Sequence, residues 1–144
     1  MATSILAAAL LLVVQPATAA EDHGLLARTL IGTDIEKSIP VEQDHLIVRY
    51  WVMSWTGEVC ESRLRVGGAR APSTWIIDWR KVQRIVASDD GRPAAILFGS
   101  PGVVTDLGNP NSSETTLPTR IFIDPASPAI RAMERLQAAC AERP

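Results

Sequence analysis

His45-Leu46-Ile47-Val48-Arg49-Tyr50-Trp51-Val52-Met53-Ser54-Trp55-Thr56 is the stretch that decides the fold class. It is rich in β-branched and aromatic residues and contains neither Gly nor Pro, so it reads as one long strand. Strict alternation places Ile47, Arg49, Trp51, Met53 and Trp55 on one face. Leu46, Val48, Tyr50, Val52 and Ser54 take the other. Thr56-Gly57-Glu58 is a turn signal. From Val59 to Val66 the pattern alternates again. Cys60, Leu64 and Val66 share one face; Glu61, Arg63 and Arg65 share the other. That is the signature of a half-buried antiparallel neighbour.

Reading onward, Gly67-Gly68 and Pro72 mark a loop, and Ser73–Trp79 is a third strand with Trp75, Ile77 and Trp79 on one face. Lys81–Ala87 and Ala94–Phe98 form a hairpin around Asp89-Asp90-Gly91. A turn at Gly99-Ser100-Pro101-Gly102 precedes the short run Val103–Leu107. Gly108–Pro118 is a Pro/Asn/Ser-rich loop, and Thr119–Asp124 is the last strand. Ser127-Pro128 then supplies an N-cap with Pro at the first helical position. The helix runs over 128–142, with Ile130, Met133, Leu136 and Cys140 on one stripe. The expected fold is α+β and mainly antiparallel β: about seven short strands in a bent sheet or partly open barrel, capped by one C-terminal helix.

This order of elements resembles the pleckstrin-homology-like superfold, in which a bent antiparallel sheet is capped by a final helix. The resemblance covers roughly residues 45–142 and rests on element order. It carries no binding residues and no lipid specificity onto this chain, because folds host unrelated functions.

The chain divides by composition into three parts. Residues 1–20 read as a signal peptide. Ile5–Val14 is apolar, Pro16 ends the run, and Ala17-Thr18-Ala19 gives the small-x-small pattern that signal peptidase accepts. The run is too short for a membrane span, which needs about 20 residues. Residues 21–44 hold six acids against Arg28 and Lys37, and read as an acidic leader in which Leu25–Ile31 forms a short helix or an extra strand. Residues 45–144 are the β-rich domain. The formal net charge of −2 hides this division: from Arg49 to Arg84 seven bases face only Glu58, Glu61 and Asp78. With 144 residues, 47% apolar and 21% charged, the chain is one folded domain rather than a disordered tail. Arg outnumbers Lys twelve to two, a usage typical of GC-rich bacterial genomes. The expected location is periplasmic or secreted.

Cys60 and Cys140 are the only cysteines. In an oxidising compartment the expected state is a disulfide between them, the competing reading being two buried free thiols; a bridge closing so long a loop stabilises by about 4–5 kcal/mol at most. Two cysteines with His23 and His45 show no zinc-like spacing, so no metal is expected. The chain has no HExxH, GxSxG, SxxK, P-loop or GxGxxG motif, and no cofactor is implied. Asn111-Ser112-Ser113 is formally a glycosylation sequon.

Two surfaces carry a functional reading. Trp51 and Trp55, beside Arg49, are candidates for stacking on a ligand; the competing reading makes them core. Arg63, Arg65, Arg80 and Lys81, with Arg70 and Arg84, are candidates for an anionic ligand, a lipid headgroup or an acidic envelope partner. The competing reading is a solvated face, or pairing with the acidic leader. Nucleic acid is disfavoured by compartment and overall charge. The expectation is a non-enzymatic binding or assembly module of the bacterial envelope. The alternatives are a small secreted hydrolase with a dispersed site that uses His45, and an inhibitor or immunity-type protein.

Overall fold

The computed structural model describes residues 18–68, 71–100, 103–108 and 118–141, with the side chains of 39–41 and 45 outside that description. Most of the span read as a signal, the loop interior at 109–117, Arg70 and the sequon lie outside it too. The elements in order are α1 (Ala19–Leu30), β1 (Asp34–Val41), β2 (Asp44–Glu58), β3 (Glu61–Gly67) and β4 (Ser73–Asp78). A 3-10 turn (Trp79–Lys81) leads to β5 (Val82–Ser88), β6 (Ala94–Gly99), β7 (Val104–Asp106), β8 (Thr119–Ile121) and α2 (Pro128–Cys140).

All eight strands form one antiparallel sheet in the order β5-β6-β8-β1-β2-β3-β4-β7. That order forces the sheet to bend. β4 and β5 lie six positions apart, yet only the 3-10 turn separates them in the chain. Laid flat, six spacings measure about 29 Å, whereas the four-residue step from Asp78 to Val82 spans at most about 14 Å. β6 and β7 are also six positions apart and are joined by a connection nearly as short. The sheet therefore curls until its ends approach one corner. Hydrogen bonds of Asp78 N to Val103 O and Ser100 N to Lys81 O stitch that corner.

The concave face holds the core: Ile35, Val52, Trp55, Leu64, Val66, Trp75, Ile77, Leu97 and Ile121 are all buried. Two helices plug its open side. α2 is capped by Ser127, with Pro128 opening the helix, and sends Ile130, Met133, Leu136 and Cys140 inward. These are the residues that its sequence stripe predicts. The Cys60–Cys140 disulfide pins the last turn of α2 to the β2–β3 turn, with Cα atoms 5.5 Å apart.

Two features depart from the sequence reading. The acidic segment 21–44, set apart as a leader, holds α1 and β1, and β1 is an interior strand of the sheet. Leu26, Leu30 and Ile35 are fully buried and tie it to the core. Its acids do not repel it from the fold because three of them find arginines: Asp22 with Arg135, Asp34 with Arg92 and Glu36 with Arg49. Thr18, inside the span read as signal, is the N-cap of α1.

The second departure lies in β2. Its register against β3 shifts between Val52 and Ser54. This bulge inserts one residue and reverses the alternation beyond it. Val52 and Trp55 both point inward, while Trp51 and Met53 stay outside. Trp51 and Trp55 therefore do not share a face.

Candidate functional site

Among the described residues, β2 carries the largest run of exposed apolar side chains. Its fifteen residues outreach both neighbours: β1 pairs with Asp44–Trp51 and β3 with Trp51–Glu58. Past the buried Lys37, which pairs with Val48, β1 and β2 run on toward their turn as a two-stranded ribbon. Leu46 is 54% exposed and Ile47 62%, and Trp51 and Met53 continue the exposed surface. Trp51 lies across Gly67, where a Cβ would meet its ring at 2.6 Å. Trp55, Trp75 and Trp79 are buried, so Trp51 is the tryptophan available to a ligand. Beside it, Arg49 donates to Glu36 at 3.0 Å, and Arg49 and Arg92 both lie over the Phe122 ring, at 5.2 and 4.1 Å.

The four basic candidates fall into two pairs, Arg63 with Arg65 on β3 and Arg80 with Lys81 after β4. Arg63 and Arg65 project from the outer face of β3. Arg63 is 3.9 Å from Glu61, and Arg65 donates to Thr74 Oγ1. Arg80 folds back as a fork onto Asp78, with both nitrogens 2.9 Å from its oxygens. Burial pushes the Asp78 carboxyl up, but the hydrogen bonds and charge of Arg80 outweigh it and hold it below its ordinary value. Arg80 and Lys81 line one groove together, with Gln83, Ser100 and Gln137. Arg63 lines the groove at the β2–β3 turn with Glu58 and Glu61. Acids thus interrupt the basic surface that the sequence count suggests.

Two buried polar groupings escaped the sequence reading. Lys37 points from β1 into the curled sheet and is 2% exposed. Its ammonium lies 5.1 Å from the centroid of the Trp75 ring, which also stacks edge-on with Tyr50. Burial pulls the Lys37 ammonium below its ordinary value, and the Asp106 carboxylate opposes that shift. Asp106, on the edge strand β7, accepts from Ser73 Oγ and from the Gly108 N–H. A void of about 10 Å³ beside Lys37, Ser100 and Thr119 has room for about one water and no substrate. Period-two counting from Ile35 puts Lys37 on the apolar face, and that was the available signal.

The other grouping centres on His23. Trp79 Nε1–H donates to Ser62 Oγ at 2.8 Å, and Ser62 lies 3.3 Å from His23 Nδ1. His23 Nε2 is 3.1 Å from Val59 O. A carbonyl only accepts, so in the neutral ring Nε2 carries the proton and Nδ1 accepts from Ser62. Ser62 and His23 are buried at 0% and 4% exposure, and each ring nitrogen of His23, the Ser62 hydroxyl and the Trp79 indole N–H has a partner. A serine and histidine in contact thus form a sealed core network here, with no opening for a substrate. Charge patterning alone gave no reason to join His23 to Ser62, 39 residues away. His45, the base required by the hydrolase reading, has its backbone in β2 opposite Pro40, and its side chain lies outside the described residues.

Among the described residues no group of three or more His, Cys, Asp or Glu is placed to hold a metal ion. Among them no helix is long and apolar enough to cross a membrane. No family model, curated protein or solved structure matches the chain. Residue roles here therefore rest on geometry.

Proposed function

We propose that this chain is a small exported bacterial envelope protein that acts as a non-enzymatic binding or assembly module. The observation that carries the reading is the exposed apolar surface along β2. Leu46, Ile47, Trp51 and Met53 stand in water on a rigid strand, where a chain without a partner gains nothing from them. The buried polar groupings, by contrast, are closed to substrate. Export is supported by the apolar head with its small-x-small site and by the Cys60–Cys140 bridge. The pleckstrin-homology-like reading rests on strands in a bent antiparallel sheet closed by a C-terminal helix.

Photo-crosslinking in the native host tests the docking role. A photoreactive residue at position 47 or 51 should give one discrete adduct, and the same residue at Arg131 on the outer side of α2 should give none. Absence of an adduct at both β2 positions refutes the docking surface. Export is checked separately: the protein recovered from the envelope fraction should begin after the apolar head and contain no free thiol.

A further inference from the structure

The β2–β3 connection is a two-residue turn, Val59-Cys60, closed by Glu58 opposite Glu61. Val59 holds φ at 45°, whereas φ at Cys60 is not positive. A hairpin turn with φ positive at its first central residue alone is normally built with Gly there. A β-branched residue in that region is an outlier. Val59 gains nothing from the core in return: at 72% exposure it is the most exposed large apolar side chain among the described residues. Glu58 and Glu61 are exposed as well, and like charges directly opposite weaken a strand pair. Arg63 comes only within 3.9 Å of Glu61, through side chains that are both more than half exposed, so it offsets little of this repulsion.

This unfavourable tip is nonetheless fixed from three sides. Cys60 is bridged to Cys140 of α2. The Val59 carbonyl accepts from His23 Nε2 of α1 at 3.1 Å. The Trp79 N–H, at the start of the 3-10 turn, donates to Cys60 O at 2.9 Å. Strain that the surroundings hold in place at an exposed residue is a feature of ligand clamps and other functional sites. We propose that the β2–β3 tip is a preorganised plug: Val59 enters an apolar pocket on another folded protein, and Lys or Arg on the rim of that pocket pairs with Glu58 and Glu61. The chemistry of the occupant follows from the tip. An apolar pocket takes Val59 out of water, and a basic rim relieves the repulsion between the two carboxylates. Fixing the tip beforehand removes most of the ordering cost of binding. An anionic membrane surface fits worse, because it repels both carboxylates. The tip lies at the opposite end of β2 from Leu46 and Ile47, so this surface is separate from the ribbon and does not rest on it.

A photoreactive residue at Thr56, which lines the groove beside the tip, tests this in the native host with Val59 and both acids in place. The expected result is one discrete adduct that mass spectrometry maps to an apolar pocket with Lys or Arg at its rim. Adding Val59→Asn should abolish it. The crosslinked protein, purified and titrated with the full oxidised chain, should bind Val59→Asn at least about ten-fold more weakly than wild type. The double variant Glu58→Lys with Glu61→Lys should lose at least as much, and added salt should weaken the wild-type complex. Misfolding is excluded by a urea melt, because Asn tolerates the turn conformation and the Val59→Asn midpoint should lie at or above wild type. The proposal is overturned by the absence of an adduct from position 56, by an adduct that Val59→Asn leaves unchanged, by one that maps to an acidic or pocketless surface, or by affinity that the double variant leaves unchanged. Adducts from positions 47 and 51 are read separately. Their absence beside a Val59-dependent adduct at 56 refutes the ribbon and keeps the tip, and the reverse pattern refutes the tip alone.

Discussion

Gly57→Ala tests the buried network with a single methyl group. Gly57 sits opposite Ser62 in the β2–β3 ladder. A Cβ there would lie 1.9 Å from His23 Nδ1 and 2.3 Å from its Cγ. To reach ordinary contact at 3.4 Å the ring must retreat by about 1.5 Å, in a core packed too closely to yield freely. A shift of that size breaks the contacts of 3.1 Å to Val59 O and 3.3 Å to Ser62 Oγ. Two buried hydrogen bonds contribute about 1 kcal/mol each, and leaving their partners unsatisfied adds about 1–2 more. The better strand propensity of Ala returns about 0.5 kcal/mol. The net expectation is a loss of about 3 kcal/mol, a large share of a domain stability of about 5–15 kcal/mol. Urea titration of the oxidised protein, followed by tryptophan fluorescence, measures it. Trp79 reports on the network itself. His23→Ala removes the obstacle, so the double variant should be no less stable than His23→Ala alone, a coupling of about 2–3 kcal/mol. A Gly57→Ala protein within about 0.5 kcal/mol of wild type would refute the reasoning, and so would strict additivity with His23→Ala.

Three further outcomes follow from the same geometry. Arg135 donates twice to Asp22 Oδ1, at 3.0 and 2.7 Å, and this pairing holds its guanidinium above its ordinary value although burial works the other way. Arg135→Met strands a buried carboxylate and should cost about 2 kcal/mol, below the usual 3–5 because Arg135 is partly solvated and the start of α1 favours an acid; adding Asp22→Leu should recover most of it in a urea melt. The lowered value of Lys37 means that the unfolded chain binds a proton the native chain has shed, between Lys37's native value and 10.5. Unfolding free energy should therefore rise with pH across that window in wild type relative to Lys37→Met, and a flat difference between the two up to pH 10.5 would contradict the burial of the ammonium. Val59, β-branched and exposed, holds φ at 45° in the β2–β3 turn. Val59→Asn, which tolerates that conformation, should stabilise by about 1 kcal/mol, with the urea midpoint shifted upward.

Most of the strands, α2 and the disulfide were legible in the sequence because each rests on a local pattern. β3 alternates cleanly, and Ser127-Pro128 caps a helix whose stripe includes Cys140. β1 was not legible, because its run Asp34–Val41 mixes three charges with a proline, and local propensity does not show that Arg49 and Arg92 neutralise two of those charges across the sheet. α1 was legible in part: Leu25–Ile31 reads as a short helix or an extra strand, and the acids of the first turn, which that position favours, hid where the helix starts. The candidate surface was half legible. The period-two reading brought out Trp51, but the bulge after Val52 moved Trp55 into the core. A bulge answers the bend of the sheet, which depends on strand order and not on residues 50–56 alone.

The length of β2 links the fold to the surface. A strand of fifteen residues between neighbours of eight and seven cannot be covered along its whole length on both sides. β1 and β3 change over at Trp51, which pairs with Asp34 on one side and Gly67 on the other. Beyond Lys37, which is still buried opposite Val48, the strands run on toward the β1–β2 turn outside the core. Leu46 and Ile47 are adjacent in sequence and point to opposite faces, and both are more than half exposed. Selection for solubility alone would place polar residues on both faces of such a ribbon and a lysine on its edge. The chain instead keeps Leu46, Ile47 and Val48 there and puts Pro40 on the opposite edge. That choice is hard to derive from folding, since Leu46, Ile47 and Val48 lie outside the core cluster. It is accounted for if this part of β2 is a site of association.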